Sequence, residues 1–319
     1  MLLVLFWRNK QLLTIALPIG TGIFLAGWGL QKIACTEYQQ DISIRVINGN
    51  ISKQQKQRRF VTDKAIQKYQ TISQQLPRVD LVVWPESSVP EGFMGLYQRE
   101  LKQMFQTLSQ VGTEVVLGTY LKEIKEDLKH YNVMVLGSDI RQRYDKRHRV
   151  PFGEYMPDIF NYFFPSSFLE DIDQADFQQL SIKAGGIIIS PSICFELLFP
   201  HLVHFQESNL LINISDLSWF GNKLVARRML KIARTRAIEA GKYLVKSDNY
   251  GESSVISGKG RIIALAGPDD QYVDTTVQLR HGMTPYVLFN DYPLLIVFFA
   301  IWIIFLVDTL TISRNRPSL

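Results

Sequence analysis

Short apolar runs that alternate with amphipathic stretches are the feature that most limits how this chain can fold. The runs are rich in Val, Ile and Leu, and they recur from about residue 41 to about residue 279 without a repeat or a low-complexity linker. Runs that are apolar throughout are typical of strands that are covered on both faces. We therefore expect one α/β domain in which layered sheets are covered by helices on the outside.

The same pattern predicts where the elements lie. Helices are expected from a cap at Ser52 to about residue 75, over 98–110 and over 225–240. Residues 253–267 (SSVISGKGRIIALAG) are expected to form a hairpin with its turn at 258–260. Seven further runs are predicted as strands: ISIRVING (42–49), LVVWPE (81–86), EVVLGTYL (114–121), YNVMVLGSD (131–139), GGIIISPSICFE (185–196), NLLINIS (209–215) and YLVKSDN (243–249).

Two apolar segments near the ends of the chain are predicted to be membrane helices. Residues 12–30 (LLTIALPIGTGIFLAGWGL) hold about the 20 apolar residues that a helix needs to cross a bilayer. Residues 293–307 (PLLIVFFAIWIIFLV) form a shorter run that its flanks can lengthen. The alternatives are a cleaved signal peptide for the first segment and a buried core helix for the second.

The charges around these segments predict an orientation. Arg8 and Lys10 precede the first segment, and Arg314 and Arg316 follow the second. Because Lys and Arg favour the cytoplasmic side of a membrane, both tails are predicted to be cytoplasmic and the central domain to lie on the opposite face. The net charge of +5 suits an anionic lipid surface. No nucleic-acid partner is expected, because the sequence carries no nucleic-acid-binding motif.

Three residues at the ends or edges of apolar runs have the chemistry for a reaction. Glu86 closes LVVWPE, Lys146 lies within YDKRHRVPFGEY, and Cys194 closes IIISPSIC. A thiol needs a base to become a nucleophile, and a tetrahedral intermediate needs a positive charge beside its oxyanion. Taken singly, each residue has an ordinary alternative: a buried cysteine, a helix-capping glutamate and a solvated lysine. The only other cysteine is Cys35, and two cysteines are too few for a disulfide framework.

These residues lie in or near five distinctive segments: VVWPESSVP (82–90), YDKRHRVPFGEYMP (144–157), ICFELLFP (193–200), SWFG (218–221) and ARTRAIEAGK (233–242). Together the segments resemble the carbon-nitrogen hydrolase (nitrilase) superfamily and, within it, bacterial apolipoprotein N-acyltransferase. The resemblance implies a nitrilase-like four-layer αββα sandwich. With the two apolar segments described above, the expected architecture is this sandwich flanked by one N-terminal and one C-terminal transmembrane helix. The expected divisions are a membrane anchor at 1–35, a catalytic domain at 36–282, and a transmembrane helix with its tail at 283–319.

The resemblance also implies roles for individual residues. Glu86 is then the general base, Lys146 the cation that steadies the oxyanion, and Cys194 the nucleophile. The supporting residues that it implies are Glu154, Glu196, Phe195 and Trp219.

The chain departs from the family pattern at several places. It has one apolar segment before the central domain, where the N-acyltransferases typically have several, so its N-terminal membrane region is expected to be reduced. Phe195 follows the cysteine where the family commonly has Tyr. The run SDLSWFG places Asp216 and Leu217 where the family has an Asn-Asp pair.

The activity that the resemblance implies is a two-step acyl transfer. A phospholipid donates its acyl chain to the cysteine as a thioester, and the thioester passes it to the N-terminal diacylglyceryl-cysteine of a lipoprotein or to another amine. The expected location is the bacterial inner (cytoplasmic) membrane, with the catalytic domain on its periplasmic or extracytoplasmic face. No metal or other cofactor is implied.

Two other functions stay open on the sequence alone. A membrane-tethered amidase or a different N-acyltransferase would use the same three residues, and the acceptor, water or amine, would distinguish them. A catalytically silent membrane scaffold would keep the fold without the reaction. Aromatic loops at 93–97 and 162–168 are candidates for contact with lipid.

Overall fold

The computed structural model describes the central domain and both terminal helices. The residues that it describes are 10–30, 34–56, 58–89, 91–124, 128–157, 159, 172–174, 181–203, 207–221, 223–267 and 269–314. The expected lipid-contacting loop at 162–168 lies outside these residues.

Twelve strands among the described residues form two six-stranded sheets. The strands are Thr36–Ile47 (β1), Leu81–Val83 (β2), Glu114–Ile124 (β3), Leu128–Leu136 (β4), Arg143–Asp145 (β5), Ile182–Ala184 (β6), Ile187–Ile193 (β7), Leu210–Asp216 (β8), Leu244–Asn249 (β9), Ser253–Ile256 (β10), Ile262–Ala266 (β11) and Tyr272–Gly282 (β12). The first sheet has the order β12-β1-β2-β3-β4-β5, and the second has the order β11-β10-β9-β8-β7-β6. All seven predicted strands and the predicted hairpin are therefore confirmed.

Two of the predicted strands end earlier than expected. The run at 81–86 is extended only to Val83, and the run at 185–196 only to Ile193. Cys194 has a φ of 51°, which ends the extended conformation, and a 3₁₀ turn follows over Cys194–Leu198. The residues with reactive side chains thus lie just beyond the strands rather than in them.

The helices of the described residues are Lys10–Leu30 (α1), Lys53–Lys56 (α2), Arg59–Ser73 (α3), Glu91–Gln110 (α4), Pro200–Val203 (α5), Lys223–Ala240 (α6), Pro285–Phe289 (α7) and Tyr292–Arg314 (α8). Of these, α3, α4 and α6 pack on the outer faces of the sheets. The cap at Ser52 is present, because its Oγ accepts from Gln55 N at 3.4 Å and Gln55 Oε1 accepts from Ser52 N at 2.9 Å. The helix that it begins is broken between α2 and α3. Residues 93–97, expected in a loop, lie within α4.

The buried side chains define four layers. One hydrophobic cluster joins α3 and α4 to the outer face of the first sheet, where Trp84 packs on Tyr69 and Phe105 with ring centroids 5.3 and 5.6 Å away. The other cluster fills the space between the sheets and continues beneath α6. Alternation along β2 directs Val82 outward and Val83 inward, as the two-residue period of a strand requires.

Strand direction places the candidate residues at one edge of the molecule. β1, β2 and β3 are parallel, and β5 runs in the same direction because it is antiparallel to β4, which is antiparallel to β3. β7, β8 and β9 are also parallel. Glu86, Lys146 and Cys194 all follow carboxyl ends of these strands, and this carboxyl edge is where an open α/β sheet binds its ligands.

The two terminal helices approach the domain at the opposite end of β1. Thr36, the first residue of β1, pairs with Gly282, the last residue of β12. Judged on the described residues alone, none of the helices combines the length and the apolar character needed to cross a bilayer.

Candidate active site

The carboxylate of Glu86 is held by two donors at the carboxyl edge. Its Oε2 accepts from the backbone N–H of Asp216 at 2.6 Å, and its Oε1 accepts from Asn132 Nδ2 at 2.7 Å. The neighbouring strand passes so closely that a Cβ at Gly118 would lie 2.6 Å from the Cα of Glu86. Glu86 is buried, and the donors from Asp216 and Asn132 fix the orientation of its carboxylate.

Lys146 lies between two carboxylates. Its Nζ is 3.4 Å from Glu86 Oε1 and 2.6 Å from Glu154 Oε1, and the lysine is 1% exposed. The other oxygen of Glu154 accepts from Val150 N at 2.9 Å. The structure therefore brings together Glu86, Lys146 and Glu154, although 60 residues separate the first two in the chain.

Cys194 is the first residue of the turn that follows β7. Its positive φ is unusual for a residue with a side chain and identifies a backbone that the surrounding structure must hold. The side chain is buried, and its thiol interacts electrostatically with Glu86, Lys146 and Glu154. The thiol, the carboxylates and the ammonium thus share one buried site.

Glu196 joins the cysteine turn to the segment that carries Lys146. One oxygen accepts from the N–H groups of Arg147 and His148 at 2.6 and 3.0 Å and from the Tyr144 hydroxyl at 2.9 Å. The other accepts from Ile193 N at 2.8 Å. Glu196 therefore fixes the relative positions of the two segments without itself contacting Glu86.

Burial dominates the protonation of this site. It raises the pKa of the Cys194 thiol, and the negative charge of Glu86 raises it further, while Lys146 opposes both. Burial likewise raises the pKa of Glu86. For Lys146, burial lowers the pKa, but the charges of Glu86 and Glu154, and of Cys194 once it is ionised, outweigh it, and the net pKa is raised. The resting site accordingly combines a permanent ammonium with a thiol that holds its proton.

Phe195 and Trp219 lie at the margin of this arrangement. The Phe195 ring packs against Phe199 at 5.3 Å, with its plane tilted by 72°. Trp219 ends the 3₁₀ turn Leu217–Trp219 and is 58% exposed. The contacts that hold Glu86 and Lys146 come from other residues.

Two of those residues were missed by the sequence reasoning. Asn132 Nδ2 donates to Glu86 and also lies 3.3 Å from Glu154 Oε1. Asp216 supplies a backbone donor to Glu86, whereas the sequence showed only its departure from the family pattern. A buried amide within the apolar run YNVMVLGSD was the one available signal for Asn132. In the described part of the chain, no three His, Cys, Asp or Glu side chains are grouped to hold a metal ion.

These features place the protein among α/β sandwich proteins with a buried cysteine site. The model of the carbon-nitrogen hydrolase family matches residues 44–281, and the chain belongs to this family of enzymes. The resemblance indicated by the five sequence segments is thereby confirmed.

The chain is similar to curated apolipoprotein N-acyltransferases of bacteria. The chain is 30% identical to the apolipoprotein N-acyltransferase of Methylococcus capsulatus over 86% of its own length and 56% of the relative's. It is 28% identical to that of Vibrio parahaemolyticus over 90% of its length and 60% of the relative's. It therefore spans little more than half the length of these curated relatives.

Solved structures agree on the fold. A carbon-nitrogen hydrolase from Helicobacter pylori superposes with a TM-score of 0.55 at 18% identity, over 74% of this chain and 89% of that one. At this identity the likeness establishes a nitrilase-like fold with two sheets.

Proposed function

We propose that this protein is an apolipoprotein N-acyltransferase-like enzyme of the bacterial cytoplasmic membrane. It moves an acyl chain from a phospholipid through a Cys194 thioester to an amine, the N-terminal diacylglyceryl-cysteine of a lipoprotein. The observation that carries the proposal is the buried contact of Lys146 with Glu86 and Glu154 beside the Cys194 thiol. The relatives named above supply the substrate class.

In the first step, Glu86 acts as the general base. Because the thiol pKa is raised, the proton leaves Sγ as the sulfur attacks the ester carbonyl of the phospholipid, rather than beforehand. The S–C bond forms, and Lys146 stabilises the oxyanion of the tetrahedral intermediate. The C–O bond then breaks, and Glu86 returns the proton to the departing alcohol oxygen.

In the second step, the amine attacks the thioester. Its nitrogen forms the new C–N bond, Glu86 accepts a proton from it, and the C–S bond breaks. The sulfur leaves as a thiolate beside Lys146 and regains its proton. A thioester suits this relay because it stays reactive towards an amine.

Exposed apolar side chains near the site support a lipid donor. These side chains lie within a few residues of the site segments in the sequence. Exposed apolar side chains that are grouped in this way are typical of a surface that contacts lipid or protein. These side chains are Phe152 (55% exposed), Leu198 (40%), Trp219 (58%), Phe220 (49%) and Leu224 (50%).

The membrane location rests on the terminal helices and on the charges beyond them. Along α8, Leu294, Ile296 and Phe298 are 62 to 69% exposed, and on α1 Phe24 is 72% exposed. Burial of these side chains in lipid removes apolar surface from water. The Lys/Arg distribution then favours the extracytoplasmic face for the domain.

A hydrolase is the second candidate. The family is named for carbon-nitrogen hydrolysis, and one structural neighbour is an amidase from Nesterenkonia, at 16% identity and a TM-score of 0.51. The same site would release the acyl group to water instead of to an amine. The burial of all three reactive side chains in one site argues against a silent scaffold.

Intact-mass spectrometry tests the proposal. The purified full chain is incubated with phosphatidylethanolamine vesicles, alongside Cys194→Ala and the matched control Cys35→Ser. We expect a fatty-acyl mass adduct on the wild type and on Cys35→Ser, released by hydroxylamine and absent from Cys194→Ala. An added lipopeptide amine should then discharge the adduct as an amide. Discharge to free fatty acid would favour the hydrolase, and no adduct with any phospholipid would contradict acyl transfer.

A further inference from the structure

A second carboxylate lies directly behind the proposed base. Asp216 is the last residue of β8, is 5% exposed, and donates its backbone N–H to Glu86 Oε2 at 2.6 Å. Its own side chain faces Ser218 N and Asn249 Nδ2, each 3.0 Å from Oδ1. These neutral donors orient the carboxylate but leave its charge uncompensated.

Lys56 supplies the compensating charge. Its Nζ lies 2.5 Å from Asp216 Oδ2, and the lysine side chain is 24% exposed. A carboxylate as buried as Asp216 is costly unless it is paired with a cation. Among the described residues, Lys56 is the cation that forms an ion pair with Asp216.

The segment that carries Lys56 is fastened beside the same strand ends. Asn249, the last residue of β9, accepts from Ile51 N at 2.9 Å and donates to Ile51 O at 3.0 Å. The same Asn249 amide donates to Asp216. The ends of β8 and β9 and the connection after β1 thus form one unit in contact with Glu86.

We propose that Lys56 is a positioning residue for acyl transfer, acting on Glu86 through Asp216. The ion pair with Lys56 keeps the Asp216 carboxylate in place, so that the backbone N–H of Asp216 stays directed at Glu86 Oε2. The same ion pair limits the negative field on Glu86 and on the thiol. This inference rests on the proposed function, in which Glu86 is the base and Cys194 the nucleophile.

The directions of the pKa shifts at Glu86 and Cys194 agree with this role of Lys56. Burial is the largest cause of the raised pKa of Glu86 and of Cys194, and the charge of Asp216 raises the pKa of both further. Removing Lys56 leaves that charge uncompensated, so both groups should release their protons at higher pH. Glu86 and Cys194 interact with each other, and the other charged and titratable groups of the described residues that interact with them include Lys146, Glu154, Asp216 and Tyr120.

The pH dependence of thiol alkylation measures this effect without a lipid substrate. The full chain with Cys35→Ser is treated with iodoacetamide, and the rate at Cys194 is followed by mass spectrometry. We expect Lys56→Met to move the profile to higher pH by about half a unit to one unit, a roughly 3- to 10-fold slower reaction at a fixed pH below the midpoint. Lys56→Arg keeps the charge and should behave as the parent. Lys231→Met, at an exposed position on α6, controls for the loss of one surface charge.

The double variant separates charge from packing. Asp216→Asn alone should move the profile to lower pH, and Lys56→Met combined with Asp216→Asn should return it close to that of the parent. A double variant as slow as Lys56→Met, or a Lys56→Met profile that overlays the parent's, would overturn the inference. If Lys56→Met does not fold, Asp216→Asn carries the test, and an unshifted profile overturns the inference in the same way.

The adduct and the alkylation profiles together distinguish a failure of the proposed function from a failure of the role of Lys56. A phospholipid adduct that never forms on the wild type contradicts acyl transfer, whatever the alkylation profiles show. A normal adduct together with unchanged profiles contradicts the role of Lys56 alone.

Discussion

Asn132 couples the two carboxylates of the site. A single amide nitrogen donates to Glu86 and to Glu154, at 2.7 and 3.3 Å, while Lys146 contacts both acids from its own side. Two carboxylates so close together repel each other unless donors and a cation share them. The hydrogen bond from Asn132 opposes the rise that burial causes in the pKa of Glu86, and so helps to keep Glu86 ionised, as its proposed role as a base requires.

Replacing this amide with an acid should disable the base. Asn132→Asp is isosteric but adds a third carboxylate beside Glu86, so the pKa of Glu86 should rise further. We expect the alkylation rate of Cys194 at neutral pH to fall by about 10-fold or more. The matched control is Asn290→Asp, at an exposed position after α7. An unchanged rate in Asn132→Asp would show that Asn132 does not act on the base.

The acid limb of the wild-type profile follows from the same chemistry. Because burial raises the pKa of Glu86 above its usual 4.5, the base is lost at a higher pH than an exposed glutamate would be. Thiol alkylation and acyl transfer should both decline as the pH falls through that raised value. A pH series of single-turnover rates measures the midpoint, and a midpoint at or below 4.5 would contradict Glu86 as the titrating base.

The backbone at Cys194 gives a stability prediction. A φ of 51° disfavours any residue with a Cβ, by roughly 1–2 kcal/mol relative to glycine. Cys194→Gly should therefore be about 1 kcal/mol more stable to denaturant than Cys194→Ala, less the flexibility that glycine adds to the unfolded chain. Ser190 provides the control within β7, since there glycine should be less stable than alanine by about 0.5–1 kcal/mol. If the alanine variant were more stable than the glycine variant at position 194 as well as at position 190, the backbone at Cys194 would not be strained.

The site residues divide according to what a sequence can reveal. Glu86, Lys146 and Cys194 were predicted because reactive side chains at the ends of apolar runs match a family pattern. The donor from Asp216 is a backbone N–H, which no side-chain pattern reports. Lys56 was missed for a related reason, since a lysine in a polar helix looks solvated until the fold brings Asp216 beside it.

The strands of the domain were predictable where an apolar run fills or begins them. β8 and β9 are buried throughout, β7 is buried except at the half-buried Ile188, and all three were found. β12 was missed because its exposed and half-buried residues interrupt the apolar pattern, as its position at the edge of the first sheet allows. β5 and β6 are only three residues each, too short for a period to be seen.

The packing of β3 against the end of β2 gives a prediction for an element. Gly118→Ala would place a Cβ 2.6 Å from the Glu86 Cα and 2.9 Å from Pro85 O, both backbone atoms that cannot move aside alone. We expect a loss of about 1–3 kcal/mol in unfolding free energy and a slower reaction of Cys194, because Glu86 is displaced. Gly186→Ala is the control, since its Cβ would meet only Gln40 Nε2 at 3.6 Å. Full stability in Gly118→Ala would show that the strands can separate at no cost.

On the scale of the whole molecule, the terminal helices and the site lie at opposite ends of β1. The pairing of Thr36 with Gly282 brings the connections to α1 and α8 together at the amino end of the strand. With 12 residues, β1 places its carboxyl end about 36 Å away. If α1 and α8 are held in the bilayer, a phospholipid can reach Cys194 only when β1 lies along the membrane surface instead of standing on it.

Lipid-quenching measurements distinguish these two orientations. In a background of Cys35→Ser and Cys194→Ala, a fluorescent label is attached at Phe220→Cys, near the site, or at Leu76→Cys, which precedes β2 and is 78% exposed. With β1 along the surface, brominated lipids should quench the label at 220 at least as strongly as the label at 76, because Phe220 is one of the exposed apolar side chains near the site. Strong quenching at 76 with none at 220 would mean that the domain stands upright on the membrane. The site would then face water, and a water-soluble acyl donor would have to replace the phospholipid.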